Sequence, residues 1–208
     1  MPTTIGILGA GGQASELAAY VGAESVSFYA VDAQHLSAAG RTIDVTAPSD
    51  EQRGCEVIAA VGAPAVRREL VSRWPGDRFG AYVSPAAYVG PTVGIGDGSI
   101  VSPGAVLTAS VLVGHHVIVN VGASISHDVV VGDFATIGPG ARIGGHCRLG
   151  AGVVIGIGAV VKNDVAIADG VIVGAGAVVV ADVEEPNAVV IGNPARTLRI
   201  AEGWAREL

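Results

Sequence analysis

The stretch VGPTVG IGDGSI VSPGAV LTASVL VGHHVI VNVGAS, residues 89–124, decides the fold. Written in sixes, every block opens on Val, Ile or Leu. The same register continues without insertion through sixteen blocks, which open on Val89, Ile95, Val101, Leu107, Val113, Val119, Ile125, Val131, Ile137, Ile143, Leu149, Ile155, Val161, Ile167, Val173 and Val179. The fifth residue of each block is Val, Ala, Ser or Cys, and the second is often Gly. Such a register predicts a parallel β-helix. Each hexad forms one short flat strand and a corner. The large aliphatic fills the interior, the small fifth residue lets the wall turn, and glycine permits unusual backbone angles at the corner. Three hexads make one coil of a triangular prism, so residues 18 apart stack. Each coil buries its aliphatics against its neighbours only, which makes the stack cooperative.

Outward from this core, the composition fits. Of 208 residues, half are apolar, 4 % are aromatic and 31 are Gly, the last about twice average usage. The net charge is −7, with Arg and Lys scattered, which argues against a nucleic-acid-binding surface. The two cysteines, Cys55 and Cys147, match no metal spacing, and a reduced, cytoplasmic protein is the simple reading. The start, MPTTIGILGAGGQASEL, has no basic n-region and its apolar run breaks at glycines, so neither a signal peptide nor a membrane span is expected.

Before residue 84 the pattern alternates. TIGILGA (4–10), SVSFYAVD (25–32) and EVIAAVG (56–62) read as strands. QASELAAYVG (13–22) and APAVRRELVSRW (63–74) read as helices, the second with Val66, Leu70 and Trp74 on one stripe. Strand–helix–strand order implies a small parallel sheet. Within it GAGGQA (9–14) follows a strand and opens a helix. That is a variant of the phosphate-binding turn, although a purely structural tight turn stays open. Asp32 ends the second strand, where its carboxylate can accept hydrogen bonds from a ribose or base. At about 84 residues the unit is short for a dinucleotide fold, and a site for one nucleotide fits better. The tail, EEPNAVVIGNPARTLRIAEGWAREL, breaks the hexad register at Glu185-Pro186 and is expected to close the prism, with a short capping helix at its end.

Chemistry has few places to sit. His127 takes the third position of its hexad, at a corner, beside Asp128. Ala109 and Gly145 lie above and below it and leave a shallow depression. His146 stacks 18 residues from Asp128. On spacing alone, an exposed corner residue and a catalytic one are both open for His127, and a solvated turn residue is open for Asp128. One face of a β-helix is too flat for a deep pocket, so a neighbouring subunit is expected to supply the other wall.

Asn120, Gly122-Ala123, His127-Asp128, Gly132-Asp133 and Pro139-Gly140-Ala141 resemble the signature of a bacterial family of hexapeptide-repeat sugar acyltransferases. It holds nucleotide-amino-sugar N-acetyltransferases and sialic acid O-acetyltransferases. The resemblance implies an α/β Rossmann-like domain at 1–84 that holds a nucleotide-sugar, a left-handed β-helix acyltransferase domain at 85–185, and a closing loop and cap at 186–208. It also implies a homotrimer with sites between subunits. His127 is then the general base and Asp128 raises its basicity. The acyl donor is acetyl-CoA, contacted near Asn120, Thr136, Ile157 and Ala175. Thr136 stands where many members carry a second histidine, so a different oxyanion contact is implied. Nucleotide contacts fall on Gly11, Gly12, Gln13, Asp32 and Gly62, with Gln13 replacing a frequent histidine.

The expected activity is acetyl transfer to the amino group of a nucleotide-linked amino sugar. O-acetylation of a free sugar such as sialic acid, or a non-catalytic trimeric binding protein, remain as alternatives. No metal is expected. A β-helix carbonic anhydrase joins three histidines across a subunit interface, and His115, His116 and His146 do not reproduce its spacing.

Overall fold

The computed structural model describes residues 4–37 and 41–207; the remaining residues of the expected domains lie outside them. The first unit is a parallel sheet in the order β3 (Thr42–Asp44), β2 (Val26–Val31), β1 (Ile5–Leu8), β4 (Val57–Ala59). Helices α1 (Gly12–Val21), α2 (Asp50–Arg53) and α3 (Pro64–Arg73) connect and cover it. Strand side chains alternate between faces. Ile5 and Ile7 join Ala14, Leu17 and Ala18 of α1 on one face. Leu8, Phe28, Val57 and Ala59 pack with Leu70 and Trp74 of the α3 stretch on the other. The β3 strand and α2 were not anticipated: TID is three residues long and only half-buried, too short for a periodic signal.

The second unit is the parallel β-helix. Two-residue strands recur every six residues and pair with partners 18 residues away, as in Ile100 with Ile118, Ser124 with Arg142 and Leu112 with Val130. They build three walls: a first face holding Ile100–Val101 and Ile118–Val119, a second holding Val106–Leu107 and Ser124–Ile125, and a third holding Leu112–Val113 and Val130–Val131. The interior is made of the first and fifth hexad residues. Ser99 is the polar exception at a fifth position. Its hydroxyl donates to the Gly114 carbonyl at 2.8 Å and accepts from the Val117 N–H at 3.0 Å, which satisfies the buried oxygen.

Three boundaries differ from the sequence expectation. Tyr82–Val83 already pairs with Ile100–Val101, so the prism begins one hexad before Val89 and takes in the last residues assigned to the first domain. At the other end the stacking interval falls from 18 to 16 at Ile167 with Val183, then 17 at Val173 with Val190. The register therefore breaks before Glu185-Pro186, because Glu185 would otherwise point inward and Val183 takes the interior place. Finally, no capping helix forms over the described tail. Ala188–Ile191 joins the first face and Arg196–Ile200 turns back antiparallel to it.

The first face is not free. Its outward residues Ile100 and Ile118 are buried in one cluster with β1 and α1, so the α/β unit sits on this wall. One buried side chain makes several of the polar contacts across the junction. Arg67 of α3 is 0 % exposed. Its Nε donates to the His116 carbonyl at 2.8 Å, and its other nitrogens donate to the carbonyls of Val61, Gly62, Phe134 and Ala135 and to the Thr136 hydroxyl. Burial pushes the guanidinium down to about 9, and it remains a cation at neutral pH. Its charge is spread over carbonyl dipoles of both units rather than met by a carboxylate.

Candidate active site

The prism has three corners, and each carries a different chemistry. The corner after the first face holds glycine in the left-handed region on successive coils, at Gly104, Gly122, Gly140, Gly158 and Gly176. At the corner after the second face the equivalent residues are Ser110, Asp128, His146 and Asp164, with φ of 52°, 59°, 60° and 61°. Side chains other than glycine are thus tolerated at this backbone angle. The corner after the third face includes His116 and Phe134 in the same conformation.

His127 and Asp128 stand at the second of these corners. His127 Nδ1 lies 2.8 Å from Asp128 Oδ2. The imidazole is 57 % exposed, and among the described residues no protein group bonds its Nε2. The ring lies over Gly145: a Cβ there would come within 2.7 Å of Cε1 and 2.9 Å of Nε2. The expected depression is therefore real, and the hydrogen at Gly145 makes room for the ring. Asp128 is held by its own N–H, which donates to the Ala109 carbonyl at 3.0 Å.

Asn120, Thr136, Ile157 and Ala175 come together elsewhere. They line a concavity of about 460 Å³ along the first face and its following corner, with Pro139, Ile155 and the tail residue Arg199. Its walls are mostly apolar main chain and aliphatic side chains. Thr136 is committed: its hydroxyl donates to the Gly62 carbonyl at 2.7 Å and accepts from Arg67 at 3.0 Å. Its N–H donates to the Val153 carbonyl. With one hydroxyl proton already used, Thr136 offers no donor to a developing oxyanion in this arrangement. The Gly122, Gly140, Gly158 and Gly176 Cα positions have open space on the Cβ side.

The predicted nucleotide residues divide. Gly11 and Asp32 line a second concavity of about 430 Å³, together with Gly9, Val61, Leu70 and His35. Gly9 is required there, with φ at 105° and a notional Cβ 2.6 Å from Val61 Cγ2. Gly11 caps α1 with no side chain, which leaves first-turn N–H groups facing outward. Asp32 pairs with Arg73 of α3. Gly12 and Gln13 lie in the first turn of α1 outside the lining, and Gln13 Nε2 donates to Glu16 at 3.4 Å. Gly62 is drawn into the Arg67 junction instead, beside Val61.

Sequence reasoning missed Arg67, His35 and Arg199. His35 carried a usable signal, three residues past the strand-ending Asp32. Arg67 borders the apolar stripe, three residues before Leu70, but its charge reads as solvent-facing from the sequence. His115 and His116 form no metal pair. The His116 ring is sandwiched, edge to face with Phe79 at 4.8 Å and stacked on Phe134 at 4.9 Å. Burial pushes its pKa down to about 4, with nearby Arg67 adding to the effect.

The chain resembles several solved structures over nearly its whole length. PerB from Caulobacter crescentus, solved in complex with CoA and GDP-perosamine, superposes with a TM-score of 0.84 at 28 % identity, covering 93 % of this chain and 96 % of that one. The acetyltransferase domain of PglB from Neisseria gonorrhoeae FA1090, in complex with acetyl coenzyme A, gives 0.82 at 30 % identity, covering 95 % of this chain and 100 % of that one. WeeI from Acinetobacter baumannii AYE gives 0.79 at 30 % identity, covering 94 % of this chain and 99 % of that one. No protein-family model matches the chain, and no curated protein sequence does.

Proposed function

Because the chain belongs to the hexapeptide-repeat sugar acyltransferases, we propose that this acyltransferase moves an acetyl group from acetyl-CoA to the amino group of a nucleotide-linked amino sugar, with His127 as general base. The observation that carries the reading is the His127–Asp128 pair, with Nδ1 engaged and Nε2 open to solvent. Asp128 holds the Nδ1–H tautomer, which leaves the lone pair on Nε2. That nitrogen takes the proton from the acceptor amine as the amine attacks the thioester carbonyl. The imidazolium then returns the proton to the departing thiolate, and no acyl-enzyme is needed.

The glycine corner supports the acetyl-CoA slot. The second corner carries Ser, Asp and His at the same backbone angle, so backbone strain does not by itself demand glycine throughout the first corner. The open space beside these glycines is explained by a ligand that runs along the main chain near Ile157 and Ala175. With Thr136 committed to Gly62, the oxyanion contact falls to a group other than its hydroxyl. The concavity at Gly11 and Asp32, at the start of α1 on a parallel sheet, is the place for the nucleotide of a Rossmann-like unit. PerB was solved with CoA and GDP-perosamine, which agrees with a nucleotide-linked amino sugar as acceptor.

The base and the acyl slot occupy different corners of one prism, with the whole second face between them. A trimer that brings one chain's His127 to its neighbour's slot would complete the site, as expected for a cytoplasmic member of this family. The test is CoA release from acetyl-CoA with UDP-, dTDP-, GDP- and CMP-linked amino sugars. Turnover with one of them, reduced roughly 10²–10⁴-fold in His127→Ala, is the expected result. Equal turnover in the variant would remove His127 as the base.

A further inference from the structure

The second corner holds an imidazole that acyl transfer does not use. His146 occupies the coil next to Asp128, and its N–H donates to the His127 carbonyl at 3.0 Å. Its Nδ1 lies 3.8 Å from the same Asp128 oxygen that His127 Nδ1 approaches at 2.8 Å. The two rings meet edge to face, 5.0 Å between centroids. One donor atom from each of His127, Asp128 and His146 falls within 4.8 Å of the others.

We propose that these three residues form a site for a divalent transition-metal ion of the zinc type, and that its occupation switches His127 off as a base. The second half rests on the acyl-transfer reading above. Two imidazole nitrogens with one carboxylate suit zinc and its neighbours rather than magnesium or calcium, which favour oxygen ligands. With zinc–ligand bonds near 2.0–2.1 Å, tetrahedral donors sit about 3.4 Å apart. The observed 2.8 Å and 3.8 Å bracket that separation and the third pair lies within 4.8 Å, so side-chain rotation without backbone movement closes the site. The backbone is already in place, with Asp128 and His146 at equivalent corner positions of successive coils. All three side chains are about half exposed, which admits an ion and leaves a fourth position for water.

Inhibition follows from the tautomer. A base at Nε2 requires the ring proton on Nδ1, toward Asp128. A metal bound at Nδ1 requires the lone pair there, so the proton moves through solvent to Nε2. The ring stays neutral and no proton is lost, yet the nitrogen facing the acceptor amine now carries hydrogen.

The experiment is a competition between the full chain and a chromophoric chelator for zinc chloride, on wild type, His146→Ala and His146→Asn, with acetyl transfer followed in parallel. Wild type is expected to bind one zinc per chain. Both variants should bind it more weakly by more than the roughly 10–100-fold that loss of an outer-shell partner costs. Both should keep basal turnover and lose inhibition by zinc. Equal zinc affinity in wild type and variants overturns the site, and zinc bound through His146 with undiminished turnover overturns the switch. Zinc binding that depends on His146 in a chain that acetylates no sugar supports the site and rejects the acyl-transfer reading instead.

Discussion

His116 and His127 are the same residue in two environments, and the environment assigns their work. His127 stands half exposed against the hydrogen of Gly145, as its proposed role as base requires. Gly145→Ala would push its methyl into the imidazole and displace Nε2. A fall in kcat with little change in KM for either substrate or in melting temperature is expected; unchanged kcat would show that the ring adapts. His116 is locked between Phe79 and Phe134 and protonates only near about 4. The unfolded chain takes up that proton near 6.5. Between those values the unfolded state binds more protons, so stability falls as pH drops through the window, by up to about 3 kcal/mol. Denaturant midpoints measured from pH 7 to pH 4 should show this loss, and His116→Phe should flatten it. Both histidines sit at corner positions in the hexad frame, and no feature of VGHHVI says that the α/β unit will cover one of them.

At the scale of elements, α3 is the connector. Its apolar stripe, Val66, Leu70 and Trp74, was legible from spacing and packs on the sheet. Arg67, three residues before Leu70 and seven before Trp74, borders that stripe; its charge reads as solvated, but the helix is pressed against the prism on that side. Arg67→Met would relieve the desolvation of a buried cation. It would also leave the Val61, His116 and Phe134 carbonyls without the guanidinium they accept from. The lost hydrogen bonds outweigh the relief, and a destabilisation of about 2–4 kcal/mol is expected in chemical denaturation. Arg67→Lys should not restore it, since one ammonium cannot reach acceptors on both units. The tail shows the same limit. WAREL suggested a helix, but Trp204 spends its ring on Arg68, 4.1 Å above it, and on Phe134. The Ala205 carbonyl accepts from the Ala65 N–H of α3. Side-chain contacts with the neighbouring unit outcompete the local preference for a last helical turn.

For the whole molecule, the two uncovered walls carry apolar residues in water. Tyr88, Val106 and Val160 are exposed on the second face and Leu112 on the third. Contact between chains along these walls would bury them and bring a His127 corner to an Asn120 corner. Sedimentation should therefore give a trimer. Val106→Glu should shift it toward monomer and abolish acetyl transfer while nucleotide binding at the Gly11 concavity persists. A trimer unaffected by that change would place the interface elsewhere. The hexad register determined the prism, its interior and the corner that carries His127, because in a β-helix each residue's direction is a local consequence of its place in six. The same reading set Gly11 and Asp32 at the end of a parallel sheet. Only the tertiary structure decided what covers each wall: that the first face is buried beneath the α/β unit, and that Arg67 loses its water and Thr136 its free hydroxyl proton. Those outcomes depend on contacts between segments far apart in the chain, which no local period encodes.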